Sequence, residues 1–116
     1  MEELFRLIHE AVQEQLERAG IPFTGHAKDQ LRDRNITEEE VYAALYRNPP
    51  HEYFPAFQYP YGPKPFSNKD PVFSVIDETS NLVVAVAIEK RPAGLRFRIV
   101  TIFRASEKSR HRRKRR

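Results

Sequence analysis

The hydrophobic period changes once along this chain, and that change limits the folds open to it. Up to residue 48, apolar residues recur at helical spacing; from residue 72 onward they run continuously or alternate. The first pattern marks amphipathic helices and the second marks strands. Helices first and strands after give an α+β domain, because a parallel α/β sheet needs the two to alternate along the chain. The expected architecture is N-terminal helices packed on one face of a three- to four-stranded antiparallel sheet.

Local signals divide the helical part into three. Over residues 2–19, Leu4, Phe5, Ile8, Val12, Leu16 and Ala19 form an apolar stripe separated by glutamates and glutamines, and Gly20 and Pro22 end it. A second helix is expected over 25–34, with Thr24 as its N-cap and Asn35 at its C-terminal turn. A third is expected over 38–47. It opens on Thr37-Glu-Glu-Glu40, a capping box whose acids also suit the positive end of the helix dipole. Val41, Ala44 and Leu45 are its buried stripe, and Asn48-Pro49-Pro50 stops it.

Residues 49–71 hold seven of the nine prolines and six of the 13 aromatic residues, with no clear period. A loop of this length in a small domain is functional or poorly ordered. Part of it, near 51–58, suits an edge strand, where proline is tolerated. Its rings are expected to tuck back against the domain, with one or two exposed. Three strands follow, over 72–76, 82–88 and 95–104, joined by turns at Asp77–Asn81 and Arg91–Gly94. Leu82–Ile88 is apolar on both faces, as a central strand would be. In the last strand, strict alternation sends Leu95, Phe97, Ile99, Thr101 and Phe103 one way and Arg96, Arg98, Val100, Ile102 and Arg104 the other.

Charge is distributed unevenly. Residues 104–116 carry eight of the 20 Lys/Arg and one of the 16 Asp/Glu, a local charge of +7. The remainder holds 12 basic against 15 acidic residues, or −3, although the whole chain is +4. We therefore divide the chain into a domain at 1–104 and a basic tail at 105–116. Lys108, Arg110, Arg112, Arg113, Lys114, Arg115 and Arg116 are the candidate nucleic-acid contacts of that tail.

Several chemistries are set aside. There is no cysteine, so no disulfide framework and no thiolate metal site. The four histidines lack metal-ligand spacing, and the four glycines are isolated rather than gathered in a phosphate loop. No metal and no cofactor are expected. No apolar run is long enough to span a membrane, and the N-terminus lacks the pattern of a signal peptide. The expectation is a soluble, cytoplasmic protein.

Three places remain for chemistry, one of them the aromatic loop, whose Tyr and Phe rings beside basic groups can stack unpaired bases. On the second helix, Ala27 and Leu31 mark the buried stripe, and His26, Gln30 and Arg34 form a polar line along its edge. On the last strand, Arg96, Arg98 and Arg104 share a face under strict alternation, and arginine there can clamp phosphate oxygens. A half-buried histidine that satisfies backbone groups and a solvated sheet face explain the same spacing.

The residues that carry these candidates also carry a resemblance. His26-Ala27, Gln30-Leu31, Arg34-Asn35-Ile36, Thr37-Glu-Glu-Glu-Val41 and Ala44-Leu45 resemble a family of short bacterial domains of unknown function, which end in a strand closing on Tyr/Phe-Arg, as Phe103-Arg104 does. The stretch from Arg98 to Ser106 is similar to the end of BrnT-type toxins. Both families resemble RelE-like ribonuclease toxins in layout. Gln30 stands where the first family often has arginine, and Phe103 where BrnT-type toxins carry it.

The resemblance implies a metal-independent endoribonuclease of a toxin–antitoxin system. RNA brings its own nucleophile, the 2′-OH, so the protein need only orient it, move a proton and stabilise charge. His26 is the candidate general base or acid. Arg34 and Arg98 would hold the scissile phosphate, with Arg104 assisting. Thr101 aligns with a toxin serine, but strict alternation turns it toward the core, which leaves it out. RNA, with or without the ribosome, and a protein antitoxin are the implied partners. The alternative is a non-catalytic nucleic-acid-binding or adaptor domain that works through the tail, which the acidic body and the two missing arginines favour.

Overall fold

The computed structural model describes residues 2–105. It is an α+β fold: three helices, α1 (Glu2–Arg18), α2 (Gly25–Arg34) and α3 (Glu38–Arg47), precede four strands, β1 (Glu52–Phe54), β2 (Val72–Asp77), β3 (Leu82–Arg91) and β4 (Gly94–Arg104). The strands form one antiparallel sheet in the order β1-β2-β3-β4, the meander that short connections favour.

The helix ends lie where local chemistry puts them. Thr24 accepts a hydrogen bond from the Ala27 N–H at 3.2 Å and caps α2. At the other end Asn35 adopts the left-handed conformation, φ 55°, and its N–H returns to the Arg32 and Leu31 carbonyls. The capping box of α3 is complete: the Thr37 hydroxyl accepts from the Glu40 N–H at 3.1 Å, and the Glu40 carboxylate accepts from the Thr37 N–H at 3.0 Å.

The three helices cover one sheet face. Ile8 and Val12 of α1, Ala27 of α2, and Val41 and Leu45 of α3 pack on Phe73, Val75, Val84, Val86, Phe97, Ile99 and Ile102. A smaller cluster lies on the opposite face, where Tyr59 and Phe54 cover Val72, Ala85, Ala87 and Val100. The proline-rich segment thus seals part of that second face.

Strict alternation fails in β4. Ala85 pairs with Thr101 and Val86 pairs with Ile99, so Val100 is an extra residue, a β-bulge. One inserted residue exchanges the faces of everything after it. Ile102 therefore joins the helix-side core. Arg96 and Arg98 are on the loop-covered side, whereas Arg104, opposite Leu82, is on the helix side. The three arginines do not share a face, which corrects the expectation from alternation. Thr101 is corrected in the opposite sense: it leaves the core side.

β4 is an edge strand, and its outer rim is closed at Phe97, Ile99 and Ile102. The Gln15 side chain accepts from the Phe97 N–H at 3.0 Å and donates to the Phe97 carbonyl at 3.4 Å. Residues Pro22 and Thr24 run alongside, taking the Ile99 N–H and donating to the Ile99 carbonyl, each at 2.9 Å. The Gln30 side-chain amide oxygen accepts from the Ile102 N–H at 2.7 Å. Gln30 is therefore buried, not part of an open polar line. An open strand edge templates association with other chains, and buried amides need partners. Gln15→Ala leaves the backbone N–H and carbonyl of Phe97 without their partner. A loss of about 2–3 kcal/mol is expected, read as a lower urea midpoint at unchanged slope.

Candidate functional site: two clefts that share a tyrosine wall

The segment between β1 and β2 is a folded lobe. Its two limbs are tied by Phe57 N–H to the Asn68 carbonyl at 2.6 Å and Phe66 N–H to the Tyr59 carbonyl at 2.8 Å. Phe57 and Phe66 sit at φ 64° and 61°, a conformation costly for a bulky side chain. Both rings are held outward, 58% and 59% exposed, and Tyr61 is also exposed. Three rings face solvent, one more than the sequence led us to expect. Tyr59 turns inward and meets Phe54 and Tyr61 edge-on, with centroids 5.3 and 5.6 Å apart.

Tyr59 and Tyr61 divide the second sheet face into two clefts. The first, about 210 Å³, lies between the lobe and the start of α2. His26, Arg98 and Thr101 line it together with Thr24, Lys64 and the two tyrosines. The Val100 bulge brings Thr101 to this side, where it hydrogen-bonds the Tyr59 phenol. Burial pushes the Tyr59 phenol up from its usual value, and the bond to Thr101 offsets only part of that. Tyr59 therefore stays protonated and able to donate at neutral pH.

The candidate residues divide between two regions. His26 and Arg98 meet in the cleft. Arg34 and Arg104 are not among the residues that line it. α2 runs in the same direction as β4, with Thr24 bonded at Ile99 and Gln30 at Ile102, so Arg34 lies toward the end of β4 where Arg104 stands. Arg104 donates to the Ser80 carbonyl at 2.9 Å and faces the Glu40 carboxylate at 3.8 Å. Arg98 is held by the carboxylates of Glu89 and Asp70, the latter at 3.7 Å. Those two acids orient the guanidinium and offset its charge. The tail contacts at Lys108, Arg110, Arg112, Arg113, Lys114, Arg115 and Arg116 lie outside the described residues.

Sequence reasoning left out Thr101 and Lys64, and took Tyr59 only as one ring of the aromatic loop. The similarity of Thr101 to a toxin serine was the one signal for it, and strict alternation argued the other way. Nothing periodic marks Tyr59 and Lys64 in the lobe.

The second cleft, about 360 Å³, opens on the other side of the tyrosines. Ser74, Ile76, Val83 and Phe103 form its floor, and Glu52 and Glu78 are the charged groups among its lining residues.

The most perturbed titratable group stands in neither cleft. Asp77 is 2% exposed, on the helix side of the sheet. Burial alone would push its carboxyl up. The hydroxyl and N–H of Ser80, the Arg47 guanidinium and the Asn48 amide outweigh burial and hold it well below the usual carboxylate range. Its partners join α3 to the β2–β3 turn, so its shift reflects a structural network. Among the described residues no group of three or more His, Cys, Asp or Glu is placed to hold a metal ion, and no helix is long and apolar enough to cross a membrane.

Residues 23–104 match the family described as a domain of unknown function, DUF4258. The chain belongs to this family. The match begins at the segment that runs beside β4 and closes at the end of that strand, so both clefts lie almost wholly within the DUF4258 unit and α1 lies before it. No curated protein and no solved structure matches the chain.

Proposed function

We propose that this protein is an RNA-cleaving domain of the toxin type, resembling the BrnT and RelE proteins in layout, and that the cleft at His26 is where it works. The observation that carries this reading is the meeting of His26, Arg98 and Thr101 in one cleft walled by tyrosines. In that cleft His26 takes the 2′-OH proton of a bound ribose. The 2′-oxygen attacks phosphorus, the P–O5′ bond breaks, and the departing oxygen takes a proton from water. Arg98 and the Tyr59 and Thr101 hydroxyls face the charge that grows on the phosphate. The products are a 2′,3′-cyclic phosphate and a 5′-hydroxyl. Tyr61, Phe57 and Phe66 offer faces on which unpaired bases stack. A cytoplasmic setting and control by a protein antitoxin belong to the same proposal.

The test is cleavage of labelled RNA by the intact chain in the presence of a metal chelator, with and without ribosomes. Failure of the intact chain to cut under both conditions ends the catalytic reading, as does unimpaired cutting by His26→Ala and Arg98→Ala.

One observation favours a second reading, a non-catalytic nucleic-acid adaptor. Glu89 and Asp70 offset the charge of Arg98 in a body that is itself acidic. An adaptor would draw its affinity from the tail. Deletion of 105–116 would then abolish RNA binding. For the enzyme, the truncated chain keeps its cutting rate at saturating RNA. For the enzyme the salt dependence of RNA binding also flattens, by roughly 3–5 in the log–log slope for seven fewer positive charges, measured by fluorescence anisotropy across a salt series.

A further inference from the structure

The second cleft adjoins an incomplete sheet edge. β1 covers β2 only over Val72–Ser74, while β2 continues to Asp77. The His51 N–H donates to the Ser74 carbonyl, so alternate residues of β2 turn their backbone groups to this side. Ile76 is the next of them. His51 and Glu52 both stand against Ser74, so Pro49-Pro50 come next along this edge, and proline has no N–H to give. A groove runs here between Pro49-Pro50 and Ile76–Thr79. It meets the second cleft along His51, Ile76 and Glu78. Side chains of a strand laid on this edge would alternate, and every second one would enter the cleft.

The lining of that cleft selects the strand. Its floor is apolar apart from Ser74, with Ile76, Val83 and Phe103, and Phe54, Tyr59 and Tyr61 wall it. Its charged lining groups, Glu52 and Glu78, are both acidic and both exposed. Carboxylates repel phosphate and attract ammonium or guanidinium, and aromatic faces add to the attraction for a cation. We propose that the outer edge of β2 and the adjoining cleft form a docking site for an extended, basic peptide segment of a protein partner. The segment adds a strand beside Ile76 and places a lysine or arginine side chain between Glu52 and Glu78. This site is separate from the His26 cleft and does not depend on RNA cleavage there.

The experiment uses the intact, nitrogen-15-labelled chain and a short fluorescent peptide that alternates lysine and valine. Saturable binding is expected, with the largest amide shifts at Ile76, Glu78 and Glu52 and new exchange protection at the Ile76 N–H. The same peptide with glutamate for lysine should bind at least about ten-fold more weakly, and so should the basic peptide to Glu52→Lys/Glu78→Lys. Both glutamates are exposed, so the variant is expected to fold. Absence of binding, equal binding by the charge-reversed variant, or shifts confined to other faces overturns the proposal. So does displacement of the peptide by oligouridylate with the same amides perturbed, since that would make the cleft a nucleic-acid site. Loss of RNA cleavage in His26→Ala with peptide binding intact would show the two sites to be distinct.

Discussion

His26→Ala is expected to lower the RNA-cleavage rate by about 10²–10⁴-fold, the contribution general acid–base catalysis usually makes. The fall should appear in the rate at saturating RNA and not in RNA affinity. The lobe aromatics, Lys64 and the tail are all untouched by the substitution. The ring is half-buried at the rim of the cleft, so the melting temperature should change little. Arg98→Ala should lower the same rate, and its effect should grow in Glu89→Gln, where the guanidinium has lost one competing carboxylate. Comparable single-turnover rates for the wild-type chain and His26→Ala would remove the histidine from the chemistry.

Asp77→Ala carries the largest expected loss of stability, about 3 kcal/mol. The carboxylate accepts from Arg47, from Asn48 at 3.0 Å, and from both the hydroxyl and the N–H of Ser80. Removing it leaves those donors around an empty, buried position. Because the folded-state carboxyl is held below its unfolded value, its contribution is complete above the unfolded pKa of about 3.9 and is lost as pH falls further, toward the folded value. Urea midpoints followed downward from neutral pH should therefore fall steeply below about pH 4 in the wild-type chain. In Asp77→Asn the midpoint should be lower at neutral pH and the acid limb shallower. An acid limb of unchanged steepness in Asp77→Asn would assign the pH dependence to other groups.

The elements that were legible in the sequence are those whose signals are local. Thr24, Asn35 and the Thr37–Glu40 pair act within one turn of their own helix, and each is found in its expected role. The change of hydrophobic period placed the helices before the meander for the same reason. The bulge at Val100 lies in a run of good strand formers with no glycine to mark it, so alternation read straight through and misplaced Thr101, Ile102 and Arg104. Gln15 carried no signal and Gln30 read as part of a polar line beside the buried stripe, because their partners are backbone groups 82 and 72 residues away. Half of the catalytic set was brought together and half was not, and the bulge is the reason on the strand side. The tyrosine wall comes from a lobe without periodicity, whose shape depends on ties between its own limbs.

The hold of Gln15 on Phe97 has a consequence for how portable the family unit is. The family match begins at residue 23, yet one glutamine ahead of it occupies the backbone N–H and carbonyl of a residue inside it, Phe97. A fragment cut at that boundary would carry β4 with part of its rim bare and the Ile8 and Val12 contacts gone. Such a rim invites other strands, and the fragment would self-associate. In this protein the unit that closes the rim of β4 is larger than the unit that defines the family.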